Sequence, residues 1–195
     1  MAVITVPAQS RRIEGEDAVA SFLMPYGIRY ERWPLEDRCD PDASSEDILA
    51  AYQPEIDRLK TEGGFVTADV INVTPDTPHL EEMINKFNKE HTHSEDEVRF
   101  VVKGRGLFHI HPQDGNDVFS IEMIAGDWIS VPAGTRHWFD FCNERTIRAI
   151  RLFQDKSGWT PHYVESGVHE AYLPVCWGPQ FVPSEQTKVK SVLSL

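Results

Sequence analysis

Cysteine is scarce in this chain: Cys39, Cys142 and Cys176 are odd in number, widely spaced and form no Cys-x-x-Cys pair. That pattern makes neither a disulfide framework nor a zinc ribbon, and it predicts reduced thiols in a cytoplasmic setting. Positive charge is short as well, with 19 Lys and Arg against 31 Asp and Glu and a net charge of −12. A nucleic acid or an anionic membrane surface would repel such a chain, so neither is an expected partner. No run approaches the roughly 20 apolar residues that a bilayer-spanning helix requires. The opening MAVITVPAQSRR has no basic lead, no long apolar core and no cleavage site, so no secretion signal is expected. The sequon Asn72-Val73-Thr74 then has no consequence. There is no internal repeat and no low-complexity stretch. What remains is ordinary globular composition, 41% hydrophobic and 26% charged over 195 residues, enough for one domain.

Along the chain, the first 35 residues suggest short extended pieces broken by Pro7, Pro25 and Pro34. Helical periodicity covers 42–60, with Asp42 or Ser44 as cap and Ile48, Leu49, Tyr52, Ile56 and Leu59 as its apolar positions. Pro54 kinks this helix or starts a second one, and Gly63-Gly64 ends it. Residues 65–73 are rich in β-branched side chains and predict a strand. A further helix is expected with Thr77 as cap and Pro78 at its first position, placing Leu80, Met83, Ile84 and Phe87 on one side.

From residue 91 the period changes to two. Strands are expected at 98–102, 107–111, 118–123, 128–131, 136–141 and 147–153, with turns at 103–106, 125–127 and 132–134. Many short strands at close turns predict an all-β sandwich or barrel. The expected architecture is a single domain over 1–195: a mixed helical and extended N-terminal cover at 1–90, a metal-binding β-barrel core at 91–153 and a C-terminal extension at 154–195.

The stretch HTHSEDEVRF, residues 91–100, carries the chemistry. His91 and His93 stand two apart, so on a strand both imidazoles leave one face and converge on one ion. Glu97 shares their parity, but six residues of straight strand span about 20 Å, too far for a common metal. The chain must bend through Ser94-Glu95-Asp96, polar residues that suit a turn. A fourth ligand is expected from another strand, and His137 fits, directly after the Pro132-Ala133-Gly134 turn and before Trp138 and Phe139. Three imidazoles and one carboxylate suit Fe(II), Ni(II) or Mn(II) and leave two of six octahedral positions for a chelating substrate. A surface loop with chance histidines is the competing reading. His109-Ile110-His111 serves as a control: Gly115 stands where an acid should follow, so this pair is expected on an exposed or locally bonded strand face. His79, His162 and His169 have no ligand-like spacing.

These residues resemble the cupin superfamily. His91-Thr92-His93, three residues, Glu97, six residues and Gly104 match its first motif; Gly126, five residues, Pro132-Ala133-Gly134, two residues and His137 match its second. Asn85 replaces the opening glycine of the first motif and Phe141 the closing Asn of the second, without removing a ligand. HTHSEDEVRF with KFNKE before it, GRGLFHIH after it and PAGTRHWFD later is similar, more closely, to the acireductone dioxygenase family of the methionine salvage pathway, from about residue 28 to 179. The resemblance implies a cupin-type β-sandwich or barrel (a jelly roll), one Fe(II) or Ni(II) per monomer held by His91, His93, Glu97 and His137, and a monomeric enzyme. It implies as partners O2 and an acireductone, 1,2-dihydroxy-3-oxo-5-methylthiopentene, which reacts as a dianion. With iron the products would be 2-oxo-4-methylthiobutanoate and formate; with nickel, 3-methylthiopropanoate, formate and carbon monoxide.

Within that frame Arg99 shares parity with Glu97, so its guanidinium is expected in the same cavity, favouring the dianion by charge-assisted hydrogen bonds. Pairing with one of the many acids is its structural alternative. Phe87 and Phe139 match the family's pocket aromatics for the methylthio tail, and Trp159 is expected at the entrance. Glu90, Glu95 and Asp96 flank the ligands and are expected to orient imidazoles, with simple solvation as the rival. The rival functions are another metal-dependent cupin enzyme (an isomerase or decarboxylase), a non-catalytic small-molecule-binding cupin, and a zinc hydrolase. The last is disfavoured by four protein ligands where three plus water is usual.

Overall fold

One long strand, β6 (Glu97–Ile110), belongs to both sheets of the molecule. The computed structural model describes residues 1–36, 38–155 and 160–177. The first half of β6 pairs with β8 (Asp127–Val131) and β10 (Ile147–Phe153), and its second half with β7 (Phe119–Ile124) and β9 (His137–Phe141). Outside β10 and β8 lie β4 (Thr67–Val73) and β3 (Arg29–Arg32), completing a first sheet. The second sheet continues past β7 to β1 (Val3–Val6) and β2 (Arg11–Glu14), and past β9 to β5 (His91–Thr92) and β11 (His162–Tyr163). Every pairing among the described residues is antiparallel, and the result is a β-sandwich, as expected. The sheets are wider than 91–153, since β1 to β4 come from the first 90 residues.

The turn expected at 103–106 does not exist: the chain runs straight on through a bulge. Gly104 takes φ +78°, and opposite it the register of β10 shifts between Arg148 and Ala149. The extra residue reverses the facing of the strand. Before the bulge Val98, Phe100 and Val102 pack outward with Trp33, Tyr52 and Trp128, while Val101 joins the core between the sheets. After it, the even positions Phe108 and Ile110 face that core. A β-carbon on Gly104 would stand 2.1 Å from the Thr146 carbonyl oxygen, which is backbone and has no room to yield. Gly104→Ala is expected to lower unfolding stability by about 3 kcal/mol, the sum of left-handed strain and overpacking. Urea denaturation checks this; a midpoint within error of the parent protein would mean that the bulge relaxes freely.

The helices α2 (Ser45–Ala51) and α3 (Gln53–Gly63) lay Ile48, Tyr52, Ile56 and Leu59 on the outer face of the first sheet. Ser44 caps α2 by accepting from the Asp47 amide, and Pro54 lies in the first turn of α3, so it starts a second helix rather than kinking one. Two expectations need correction. The first 35 residues contain a helix, α1 (Glu16–Leu23), which buries Val19 and Leu23; Pro7 and Pro25 open short 3-10 turns outside it. Helix α4 (Leu80–Phe87) begins after His79, whose left-handed backbone (φ 57°) leaves Pro78 in the preceding turn. The Thr77 hydroxyl accepts from Thr74 N instead of capping the helix.

The cysteines differ too. Cys142 and Cys176 form a disulfide, with Cα atoms 5.4 Å apart, and Cys39 is free. A separation of 34 residues carries no pairing signal; the bond exists because the chain returns across the end of β9. Among the described residues no helix is long and apolar enough to cross a membrane.

Candidate metal centre

His91 and His137 are direct cross-strand partners on β5 and β9, and His93 follows two positions after His91. Their rings stand 4.5 Å (His91–His137), 4.8 Å (His91–His93) and 5.1 Å (His93–His137) apart, centroid to centroid. All three are buried, and their ligand nitrogens lie within 4.8 Å of one another. Between His93 and Glu97 the chain bends, bringing Glu97 Oε2 to 3.0 Å from His137 Nε2 and 3.4 Å from His93 Nε2.

The bend has its own supports. Asp96 Oδ1 accepts from Ala133 N, and Gly134 N donates to the His93 carbonyl, tying this loop to the turn before β9. Glu95 Oε2 accepts from the amides of Gln154 and Asp155. Glu90, fully buried, holds His111 Nδ1 at 2.6 Å and the Ser166 hydroxyl. None of these acids orients a histidine of the cluster, which corrects the role expected of Glu90, Glu95 and Asp96. Backbone carbonyls do that work: Lys89 O on His91 Nδ1 (2.6 Å), Thr160 O on His93 Nδ1 (3.0 Å) and Thr135 O on His137 Nδ1 (2.8 Å).

A carbonyl only accepts, so each Nδ1 carries the proton and each Nε2 keeps its lone pair for the centre. Three lone pairs and a carboxylate oxygen thus face one another in a buried space. Acceptors so placed repel unless a cation or a proton lies between them. Burial pushes His91 down to about 3, assisted by charge on His137 and His93, so it enters the site neutral. Burial also opposes charge on His93, but hydrogen bonding and the charge of Glu97 outweigh it and the net direction is up. Burial works to raise Glu97, yet Arg99 and then the two histidines hold it well below the carboxylate range. A proton therefore competes for the site at His93, and a divalent ion displaces it more readily as pH rises. The donor set fits a divalent transition ion.

Arg99 lies beside the quartet. Its Nη2 donates to Glu97 Oε1 at 2.8 Å, and its guanidinium carbon stands 4.5 Å over the Phe139 ring and 5.2 Å over Phe108. On the neighbouring strand Arg151, which pairs with Asp69, is its register partner. Phe139 is buried, and Gly106 makes room for it, since a β-carbon there would lie 2.2 Å from the ring. Phe87 is half-buried on α4 with its ring 5.9 Å from His91. Trp159 lies outside the described residues.

Sequence reasoning missed Phe108 and Tyr163, whose ring is edge-on to His91 at 6.4 Å. Counting parity through the Gly104 bulge would have found the former; nothing local marks the latter. The control pair follows the second of its two expected readings, a locally bonded strand face: His109 is buried, stacked on Trp138 at 4.8 Å and 3.1 Å from Asp140, and His111, which reaches the surface, pairs with Glu90.

A family model described as the ARD/ARD' family matches residues 17–161. Acireductone dioxygenase of a Synechococcus strain is 45% identical over 155 residues, 80% of this chain and 84% of that protein. The enzyme of the same description from Methylococcus capsulatus is 45% identical over 156 residues, 80% and 83% of the two chains. A solved acireductone dioxygenase from Bacillus anthracis, with a cadmium ion in its active centre, aligns with a TM-score of 0.76 at 38% identity, covering 84% of this chain and 98% of that one. With a family model matching most of its length and relatives above 40% identity over four-fifths of it, the chain belongs to the ARD/ARD' family.

Proposed function

We propose that the protein is a metal-dependent acireductone dioxygenase, taking 1,2-dihydroxy-3-oxo-5-methylthiopentene and O2 in methionine salvage. The observation that carries the reading is the buried cluster of His91, His93 and His137 with Glu97 at its edge and a cation, Arg99, beside it. The four would hold one Fe(II) or Ni(II) per monomer. When bound, that ion supplies open coordination positions for the two adjacent oxygens of an enediol.

The chain's own residues then have distinct tasks. Arg99 favours the ionised enediolate by charge-assisted donation. Phe139, Phe108 and Phe87 form the apolar wall against which the methylthio tail leaves water. The carbonyls of Lys89, Thr135 and Thr160 keep the imidazoles in one tautomer and one orientation. Glu97 stays ionised through the neutral range, held so chiefly by the Arg99 guanidinium beside it.

The iron form would yield 2-oxo-4-methylthiobutanoate and formate, and the nickel form 3-methylthiopropanoate, formate and carbon monoxide. We further read the protein as a cytoplasmic monomer. The test is stoichiometric: the Fe(II)-loaded protein is expected to consume one O2 per acireductone and to release formate, followed with an oxygen electrode. Uptake no faster than the non-enzymatic reaction would turn the site into one for isomerisation or simple binding.

A further inference from the structure

Residues 160–177 return across the edge of the second sheet and touch the metal centre from outside. Thr160 O holds His93 Nδ1 at 3.0 Å. Strand β11 pairs with β5, placing Tyr163 opposite His91, and the Tyr163 hydroxyl donates to Lys86 O. Val164 N donates to Glu90 O, and the Ser166 hydroxyl binds the Glu90 carboxylate. This strap therefore supplies one of the three carbonyls that orient the ligands and the pairing partner of the strand that carries His91.

Its own anchorage is thin. Not one residue between 160 and 176 is buried, so no side chain fixes the segment by leaving water entirely. Beyond the two-residue strand β11, its attachments among the described residues include the rings of His169 and Tyr172 against Trp138, at 6.3 and 5.9 Å. The covalent attachment is the Cys142–Cys176 bond. Cys142 follows directly on β9, the strand that carries His137. The disulfide thus ties the segment that steadies His93 and His91 to the strand that presents the third histidine.

We propose that the Cys142–Cys176 bond is a redox-dependent positioning device for the metal centre: oxidised, it holds the 160–177 strap against β5; reduced, it lets the strap lift, and the three histidines hold a metal ion less well. The inference rests on the reading of His91, His93 and His137 as metal ligands. A cellular dithiol opens the bond by exchange. Its thiolate attacks one cysteine sulfur and the other departs as a thiolate; the second sulfur of the dithiol then attacks the first and expels the remaining cysteine, giving after protonation two cysteine thiols and an oxidised dithiol. Cys39 takes no part, so thiol titration under denaturing conditions should count one thiol before reduction and three after.

The test uses the full chain loaded with Fe(II) or Ni(II), either oxidised or reduced with a water-soluble phosphine that is then removed. Transfer of metal to a chromophoric chelator is timed, and hydrogen exchange of 160–166 is followed separately in metal-free protein. Reduction should speed exchange in the strap and weaken metal retention about tenfold, the lower end of the loss seen when a group orienting a metal ligand is removed. Cys176→Ser, a half-buried position on the strap itself, should match the reduced parent protein and no longer respond to reduction. Three titratable thiols before reduction, exchange unaltered by it, or equal metal retention in the two redox states each overturn the proposal. An oxidised protein that holds no metal at all fails the metal reading instead, and takes the positioning role down with it.

Discussion

His137→Ala is expected to abolish retention of the divalent metal, and His91→Ala to do the same. The two imidazoles face each other across one backbone pairing, β5 to β9, with ring centroids 4.5 Å apart. Removing either takes away a ligand and half of that fixed pair, leaving two imidazoles and Glu97. Loss of a group that merely orients a ligand costs about 10–100-fold in affinity, so loss of the ligand itself must exceed that. The control is His109→Ala. That histidine is as deeply buried as His91 and lies on the strand that pairs with β9, but it stacks on Trp138 away from the cluster. It should lose stability and keep its metal. Elemental analysis after gel filtration in metal-free buffer separates the cases. Full metal content in His91→Ala or His137→Ala would sink the site, whatever the activity.

The clustering of His91, His93 and Glu97 was legible because its geometry is local. Two histidines at a spacing of two need only an extended backbone, and a polar Ser94-Glu95-Asp96 permits the bend that lets Glu97 return. The strand at 147–153 was equally plain, and it ends where the structure ends it. The facing of β6 was not legible. Its reversal hangs on the positive φ of Gly104 and a register shift in a partner strand more than 40 residues away, and a glycine in KGRG reads as a turn just as well. The orienting groups of the histidines were invisible for a different reason. They are backbone carbonyls, which every residue possesses, so no side-chain identity at 89, 135 or 160 announces them. The ligand pattern alone also left isomerase, decarboxylase and binding cupins open; the match of whole-chain sequence to the ARD/ARD' family is what narrows it.

Arg99→Ala is expected to produce two separable defects, because the proposed function gives the guanidinium two partners to serve. One is Glu97, whose Oε1 accepts from Arg99 at 2.8 Å inside a buried site. Without Arg99 this carboxylate loses its first source of stabilisation, so metal retention should weaken by about 10–100-fold without vanishing. The other, under the proposed function, is the ionised substrate, which a guanidinium standing over Phe139 and Phe108 would meet. A lost charge-assisted hydrogen bond to an anion is worth roughly 1.5–3 kcal/mol, about ten- to hundredfold in rate if it is felt in the transition state. Arg99→Lys should part the two effects. An ammonium restores positive charge beside Glu97 and with it much of the metal retention, but as a point charge it cannot reproduce a planar two-donor fork toward an enediolate. Each variant is therefore loaded with Fe(II) at saturating concentration, titrated anaerobically with acireductone and followed by ultraviolet absorbance. The dianion band should be lost in Arg99→Ala and barely recovered in Arg99→Lys, while chelator competition shows the metal largely restored in the latter. An undiminished band in fully loaded Arg99→Ala would leave Arg99 as the partner of Glu97 alone, and the charge that favours the enediolate would have to come from another cation; Arg151, paired with Asp69, is the register partner of Arg99 and the next to be replaced.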